Sequence, residues 1–210
     1  MSDPWLYVLF VLFILIVPSI RIIGPNQVGL VMKRFGLRKL RGDDPIAFRG
    51  EAGYQADLLM PGWRFKFWVM YSVQKHPWVQ VPAGEIGVVI AQVGHPLPIG
   101  AKSAVYKPEF GNFGDVRHFV ASGGQKGVQR PALPPGTLVP MHPVAFMVIT
   151  SRCVYGVPVD PHLDSKGGLS CQSFGLQAEQ LLLTRISPRK SEKGEEIDVV
   201  GIVETFEGDP

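Results

Sequence analysis

Residues 50–62 read GEAGYQADLLMPG, and residues 124–136 read GQKGVQRPALPPG. Both stretches fit the pattern G-x-x-G-x-Q-x-x-x-L-x-P-G in register from end to end. Upstream, the apolar run that begins at Val28 recurs at Ile86. The two blocks lie further apart in the second copy, which therefore contains an insertion that we place in a loop around 96–117. The chain thus contains two related strand and turn units.

Each unit has the residue chemistry of β structure. Val28–Met32 and Ile86–Val93 are nearly continuous apolar runs rich in β-branched residues, as expected for buried strands. The Pro-Gly pairs at 61–62 and 135–136 suit tight turns with a glycine at positive φ. Gly29 and Gly87, inside the runs, suit either a β-bulge or a close approach of another backbone segment. From Trp63 to Met70, alternating residues predict a strand with one apolar and one mixed face.

Downstream, we predict further strands over 144–150, 154–159, 181–186 and 197–206, and a helical tendency only over 176–183. The expected fold class is β-rich α+β, mainly antiparallel, behind an N-terminal membrane-anchor helix. The expected domains are an anchor over residues 1–23, a first β unit over 24–80, a second β unit over 81–160, and a strand-rich C-terminal extension over 161–210 that is incomplete.

The N-terminal run PWLYVLFVLFILIVPSI over residues 4–20 contains no charged residue. As a helix, these seventeen residues would measure roughly 25 Å, just short of the ~30 Å hydrocarbon core of a bilayer. A cleavable signal peptide is disfavoured by Asp3 and by the missing A-x-A pattern, and a buried core helix is disfavoured by the terminal position. We therefore predict a retained membrane anchor, either spanning or re-entrant. Its anchor residues are Trp5, Leu6, Tyr7, Leu9, Phe10, Leu12, Phe13, Ile14, Leu15 and Ile16.

Basic residues follow the apolar run without an intervening acid. Such an excess favours retention of that side in the cytoplasm, so the N-terminus is expected outside and the β domain in the cytoplasm. The same side chains would face anionic lipid headgroups. They are Arg21, Lys33, Arg34, Arg38, Lys39 and Arg41.

Several functional classes are disfavoured. The net charge of +3 is modest. A nucleic acid binding protein would be expected to show a basic face interleaved with aromatic residues, and this sequence shows no such pattern. The chain lacks the G-x-S-x-G, G-x-x-x-x-G-K-[ST], H-E-x-x-H and G-x-G-x-x-G motifs. The glycine-rich segment 122–127 reads as a turn, because its counterpart at 50–53 keeps the glycines and not the lysine. We expect no enzymatic activity, no cofactor and no metal site.

One family resemblance rests on short motifs. Val81, Gly84, Gly87, Val88 and Val89, followed by Leu133-Pro134-Pro135-Gly136, resemble the opening of the SPFH or band 7 (prohibitin homology) domain, in its flotillin-like form. The resemblance covers about residues 25–160. It implies a non-enzymatic membrane scaffold that organises lipid microdomains or regulates membrane protein complexes.

The partners implied by the resemblance are membrane lipids, membrane proteases or other membrane proteins, and further copies of the chain. Family members assemble through a long coiled coil, which this sequence lacks, so an N-terminal fragment is expected. Two other functions remain open from the sequence. One is an exported envelope accessory protein of a transport complex, and the other is a membrane-tethered enzyme using Cys153 or the pair His162 and Asp164.

Overall fold

The computed structural model describes residues 4–38, 40, 44–164, 168–184, 186–190, 196–197 and 199–201. These residues form a mainly β, α+β fold. The helices are α1 (Pro4–Ile16), α2 (Val116–Ala121) and α3 (Pro161–Asp164), and 3-10 turns cover Val17–Ser19, Pro108–Phe113, Cys171–Phe174 and Ala178–Leu181. The strands are β1 (Ile20–Ile23), β2 (Gln27–Lys33), β3 (Ile46–Ala47), β4 (Gly53–Gln55), β5 (Gly62–Phe65), β6 (Tyr71–Pro77), β7 (Val79–Gln80), β8 (Val88–Ala91), β9 (Gly127–Val128), β10 (Leu138–Val139), β11 (Phe146–Ile149), β12 (Val154–Tyr155), β13 (Arg189–Lys190) and β14 (Glu196–Ile197).

Two four-stranded sheets correspond to the two sequence units. Their strand orders are β3-β4-β2-β6 and β12-β11-β8-β9. The central strand of each sheet has the same antiparallel register with its short neighbour: Met32 faces Tyr54 in the first sheet, and Ile90 faces Val128 in the second. In the alignment of the two sequence copies, Met32 corresponds to Ile90 and Tyr54 corresponds to Val128. The shared motif therefore encodes the same strand pairing twice.

The glutamine of each motif has the same role in both units. The side-chain amide of Gln55 donates to the carbonyls of Glu51 and Gly53, at 2.8 and 3.0 Å. The amide of Gln129 donates to the corresponding carbonyls of Gln125 and Gly127, at 2.7 and 2.9 Å. These bonds join the preceding turn to its own strand, because each amide satisfies one carbonyl of the turn and one at the start of the strand.

Gly29 and Gly87 also occupy equivalent positions. Each glycine exchanges two backbone hydrogen bonds with the leucine of its motif, Leu59 or Leu133, over distances of 2.7–3.0 Å. A Cβ atom at either glycine would lie 2.9 Å from a neighbouring side-chain carbon. The glycines therefore allow the motif to pack directly against the central strand, as the sequence predicted for a close approach.

One hydrophobic core joins the two units. It extends from Leu30 and Ile46 of the first unit to Val89 and Phe146 of the second. Four phenylalanines pack against one another in this core with ring centroids 4.8–5.9 Å apart, three of the ring pairs edge to face and one tilted. They are Phe110, Phe113, Phe119 and Phe146.

Polar contacts also connect the units. Arg117 at the start of α2 makes a bidentate ion pair with Asp57, with both distances 2.8 Å, and donates to the carbonyl of Phe48. The buried ring of His142 contacts the carbonyl oxygen of Gln55 at 3.0 Å. The second unit is therefore bonded to the motif of the first unit through the Asp57 side chain and the Gln55 backbone.

The predicted N-terminal membrane-anchor helix is wrong as a spanning element. Among the helices of the described residues, none is both long enough and apolar enough to cross a bilayer. The apolar run is divided because α1 ends at Ile16, and Ile20–Ile23 pairs instead with Gly62–Phe65 as strand β1. Thirteen helical residues extend only about 20 Å.

Two local predictions also differ from the structure. The strand predicted over 181–186 is wrong at its start, because Leu181 ends the 3-10 turn Ala178–Leu181. Helix α2 begins at Val116, inside the segment around 96–117 for which a loop is predicted, and its N-cap Asp115 accepts from the backbone N–H groups of Arg117 and His118. Most of the strand predicted over 197–206 lies outside the described residues.

Candidate functional site

Helix α1 has an apolar surface on every side and no buried residue. Its side chains include Trp5, which is 76% exposed, and Phe10, which is 63% exposed. A surface helix of a soluble domain normally buries one apolar stripe and exposes a polar face. Within the part of the chain that the structure describes, this helix does neither, so its surface is suited to an apolar environment outside the fold.

The end of α1 is held by Ser19. Pro18 follows the helix closely, and a proline cannot donate the backbone hydrogen bond that continuation would require. The Ser19 hydroxyl donates to the carbonyl of Leu15 at 2.7 Å and accepts from the backbone N–H of Trp68 at 3.3 Å. Ser19 is fully buried, so the base of α1 is attached to the first unit by a defined contact.

Strands β1 and β5 extend this apolar surface. Ile20 lies opposite Phe65 and Ile22 lies opposite Trp63, so these four side chains share one face of the two-stranded ribbon. All four are exposed, Trp63 to 74% and Phe65 to 60%. We call α1 together with this face of the ribbon the apolar surface. An exposed apolar area of this kind marks a site of interaction.

Basic side chains surround the base of the apolar surface. Arg21 and Arg64 face each other across the ribbon and are exposed on the side opposite the apolar face. Lys66 follows on β5's C-terminal side, and its ammonium group lies 5.2 Å from the ring centroid of Tyr71. Tyr71 in turn pairs with Lys33 at the end of β2. Cations therefore follow the end of the sheet nearest to α1.

The structure places the predicted headgroup-facing residues as follows. Arg21, Arg34 and Arg38 are exposed, whereas Lys33 is partly buried and its Nζ atom donates to the carbonyl of Gly50 at 2.7 Å. Lys39 and Arg41 lie outside the described residues. The predicted anchor residues Trp5, Leu6, Tyr7, Leu9, Phe10, Leu12, Phe13, Ile14, Leu15 and Ile16 all belong to α1.

The residues considered for an enzyme lie in different surroundings. Cys153 is exposed, and its Sγ atom is 3.4 Å from the hydroxyl of Thr150. Burial raises the pKa of Tyr155 to about 12, and the adjacent Cys153 acts in the same direction. His162 is exposed in α3, where its backbone N–H donates to the Asp160 carboxylate. The side chain of Asp164 is outside the described set.

A buried carboxylate lies near Cys153. Glu85 is 2% exposed; one of its oxygens accepts from the backbone N–H of Ser151, and the other contacts Arg152 Nε at 3.3 Å. This ion pair ties the start of the second unit to the turn after β11. Within the described part of the chain, no group of three or more His, Cys, Asp or Glu side chains is arranged to hold a metal ion. Cys153 and Cys171 are both free thiols.

The ribbon is the part of the surface that sequence reasoning missed. The alternation of Ile20 and Ile22, and that of Trp63 and Phe65, each indicates an apolar strand face. The sequence contains no signal that pairs these strands with each other. Their assignment to the anchor and to a separate strand concealed the apolar face that they form together.

Comparison of the chain with family models, with curated proteins and with solved structures gave no match. The resemblance to the SPFH family therefore remains a prediction, and the terms SPFH and flotillin-like have no support. The description of the chain as a transmembrane protein is corrected by the short, divided apolar run.

Proposed function

We propose that this protein binds to one leaflet of a membrane through the apolar surface and acts there as a scaffold for lipids and other proteins. The observation that supports this proposal is that α1, whose side chains are apolar on every side, has no buried residue. A helix that is apolar all round is suited to the hydrocarbon interior of a membrane, unlike an amphipathic helix, which lies at the boundary with the headgroups. A helix about 20 Å long reaches that interior from one side without crossing the bilayer.

The energetics favour such an insertion. Removing a large aliphatic or aromatic side chain from water contributes roughly 1.5–3 kcal/mol. Burial of four of the exposed side chains of α1 therefore contributes on the order of 6 kcal/mol or more. The ribbon residues Trp63 and Phe65 lie at the base of the helix and add aromatic side chains suited to the membrane interface.

The charges around the apolar surface favour an anionic leaflet. Each cation near an anionic membrane contributes about 1 kcal/mol. The cytoplasmic leaflet carries most anionic lipid, so we propose that the β domain faces the cytoplasm. In a one-leaflet arrangement the N-terminus lies on the same side as the β domain. The two joined sheets would then present their outer faces to partner proteins or further copies, with no catalytic step.

The test is flotation of the full chain with vesicles of phosphatidylcholine and phosphatidylserine. The variant L9E/F13E introduces two charges into α1, and W63S/F65S removes the aromatic side chains of the ribbon. The matched control I99E/V105E introduces the same charges at two other exposed apolar residues, in the insertion of the second unit. We expect the L9E/F13E variant to lose flotation and the control to keep it.

The outcomes separate the possible occupants of the apolar surface. Equal flotation of L9E/F13E and the control, or no flotation of the unmodified chain, would overturn the proposal. Sedimentation without lipid tests a second copy as occupant. If L9E/F13E converts a stable dimer into a monomer while flotation is absent, the surface is a protein interface instead.

A further inference from the structure

A groove of about 500 Å³ lies between two loops of the first unit. One loop, residues 34–38, follows β2, and the other, residues 49–52, precedes β4. The cationic residues Lys33, Arg38 and Arg49 line the groove, together with exposed apolar side chains. We call it the basic groove.

Contacts between the loops form the groove and hold its shape. A Cβ atom at Gly36 would lie 2.6 Å from the backbone nitrogen of Ala52, so the two backbones are in direct contact there. Lys33 Nζ, at the end of β2, donates to the Gly50 carbonyl of the second loop at 2.7 Å. Within that second loop, the Glu51 carboxylate accepts from the Arg49 backbone N–H at 2.7 Å. The cations are thus presented by two loops that are bonded to each other.

The charges of the groove do not cancel. Among the described residues that form the groove, three cations, Lys33, Arg38 and Arg49, accompany the carboxylate of Glu51, which leaves an excess of two positive charges (three minus one). Backbone N–H groups of Glu51 and Arg49 lower the pKa of that carboxyl, and the charges of Arg49 and Arg38 lower it further. A phosphomonoester carries about −1.5 to −2 charges at neutral pH, which matches this excess.

Guanidinium groups suit a phosphate better than they suit a single point charge. Their planar arrangement of N–H donors matches two phosphate oxygens at once, whereas the ammonium group of a lysine contributes mainly its charge. Arg38 and Arg49 come from opposite loops and are both exposed. A phosphate in the groove could therefore be bound from two sides.

The rim of the groove is apolar and faces solvent. Phe35 is 64% exposed, and the side chain of Leu37 is fully exposed. Met70 also lines the groove, and its backbone N–H donates to the carbonyl of Phe67. Trp68, two residues before Met70, donates its backbone N–H to the Ser19 hydroxyl at the base of α1. Two residues of chain span at most about 7 Å, so the groove opens close to the base of α1.

From these observations we propose that the basic groove binds the phosphomonoester headgroup of an anionic lipid, with Phe35 and Leu37 inserted beside it among the acyl chains. The inference rests on the proposed membrane binding and adds selectivity to it. Insertion of α1 requires only an apolar environment, whereas the basic groove would distinguish a phosphomonoester from other anionic headgroups.

The test compares partition of the full chain onto phosphatidylcholine vesicles containing either phosphatidic acid or phosphatidylserine, at matched surface charge. The variant R38Q/R49Q removes the two guanidinium groups of the groove. The control R21Q/R64Q removes the same charge from the ribbon. We expect R38Q/R49Q to reduce the preference for phosphatidic acid about tenfold, as for the loss of charge-assisted hydrogen bonds. The control should weaken binding to both vesicles and leave their ratio unchanged.

Each outcome bears on one proposal. Two results would overturn the proposed role of the groove and leave the membrane proposal intact. One is binding that depends on α1 but shows no preference for phosphatidic acid. The other is an equal ratio of partition onto phosphatidic acid and phosphatidylserine vesicles for R38Q/R49Q and R21Q/R64Q. Absence of vesicle binding by the unmodified chain would overturn both. A calorimetric titration with glycerol phosphate tests a soluble source; binding as tight as that to phosphatidic acid vesicles would overturn the lipid assignment. Circular dichroism melting of both arginine variants verifies that they fold.

Discussion

Protonation of His142 is expected to destabilise the fold in mild acid. The ring is completely buried at the junction of the two units. Its Nδ1 atom accepts from the backbone N–H groups of Val144 and Ala145, at 3.2 and 3.1 Å. A backbone N–H can only donate, so the ring proton lies on Nε2, which donates to the Gln55 carbonyl at 3.0 Å. A second proton on Nδ1 would face two donors.

The magnitude follows from the pKa of the ring. Burial lowers the pKa of His142 from 6.5 to about 4. Above pH 6.5 the His142 ring is neutral in both the folded and the unfolded states, so its protonation does not lower the free energy of unfolding. Below pH 6.5 the unfolded state takes up a proton that the folded state does not, so the free energy of unfolding decreases by up to about 1.4 kcal/mol per pH unit. The loss reaches about 3 kcal/mol near pH 4, against typical total stabilities of about 5–15 kcal/mol.

Urea denaturation at a series of pH values between 7 and 4 measures this loss. The variant H142N keeps an acceptor oxygen near the position of Nδ1 and cannot titrate. It should be less stable at pH 7, because it loses the donor to Gln55, and its stability should decrease less steeply with acid. Burial also lowers the pKa of His76, so its effect appears in both proteins and cancels in the comparison. Parallel curves for the two proteins, or an NMR titration of His142 near pH 6.5, would refute the reasoning.

Two further predictions concern the repeated motif. Replacement of Gly29 or Gly87 by alanine should lower the free energy of unfolding by about 1–3 kcal/mol, because the new Cβ atom would lie 2.9 Å from a packed side-chain carbon. Urea denaturation measures this loss, and an unchanged stability at one of the two sites would show that the glycines are not equivalent. Gln129→Ala should lower the free energy of unfolding by about 1–3 kcal/mol, because two carbonyls lose their donor in a buried site. Gln55→Ala should lower it by less, because Gln55 is only partly buried. A larger cost at Gln55 would contradict this ranking.

The repeated motif was the part of the fold most accessible to sequence reasoning. Glycine at a close approach and β-branched runs are local features, and β2 (Gln27–Lys33) matches the run predicted from Val28 to within a residue at each end. Extended patterns with no tertiary signal were less accurate. The alternation that begins at Trp63 continues as far as Met70, whereas β5 ends at Phe65, because its partner β1 contains only four residues.

The candidate site could be predicted only in part, for a physical reason. Hydrophobicity identifies α1, but helix length depends on Pro18 and on the distant contact between Ser19 and Trp68. The basic groove depends on the contact of Gly36 with Ala52, two residues that strand β3 separates along the chain. Contacts between loops of this kind depend on how the sheet folds and have no local periodicity.

The glutamine bonds within the two turns have an evolutionary consequence. Because each glutamine amide reaches only backbone carbonyls, these bonds do not depend on which side chains occupy 51–52 and 125–126. Selection can therefore alter those residues in one copy without unfolding it. The two copies carry Glu51-Ala52 and Gln125-Lys126 at these places. In the first copy Glu51 orders the Arg49 backbone, and in the second Lys126 pairs with Asp44 across the junction. After duplication, the turn at 50–53 could thus acquire a charged side chain at the basic groove, while the turn at 124–127 came to connect the two units through an ion pair.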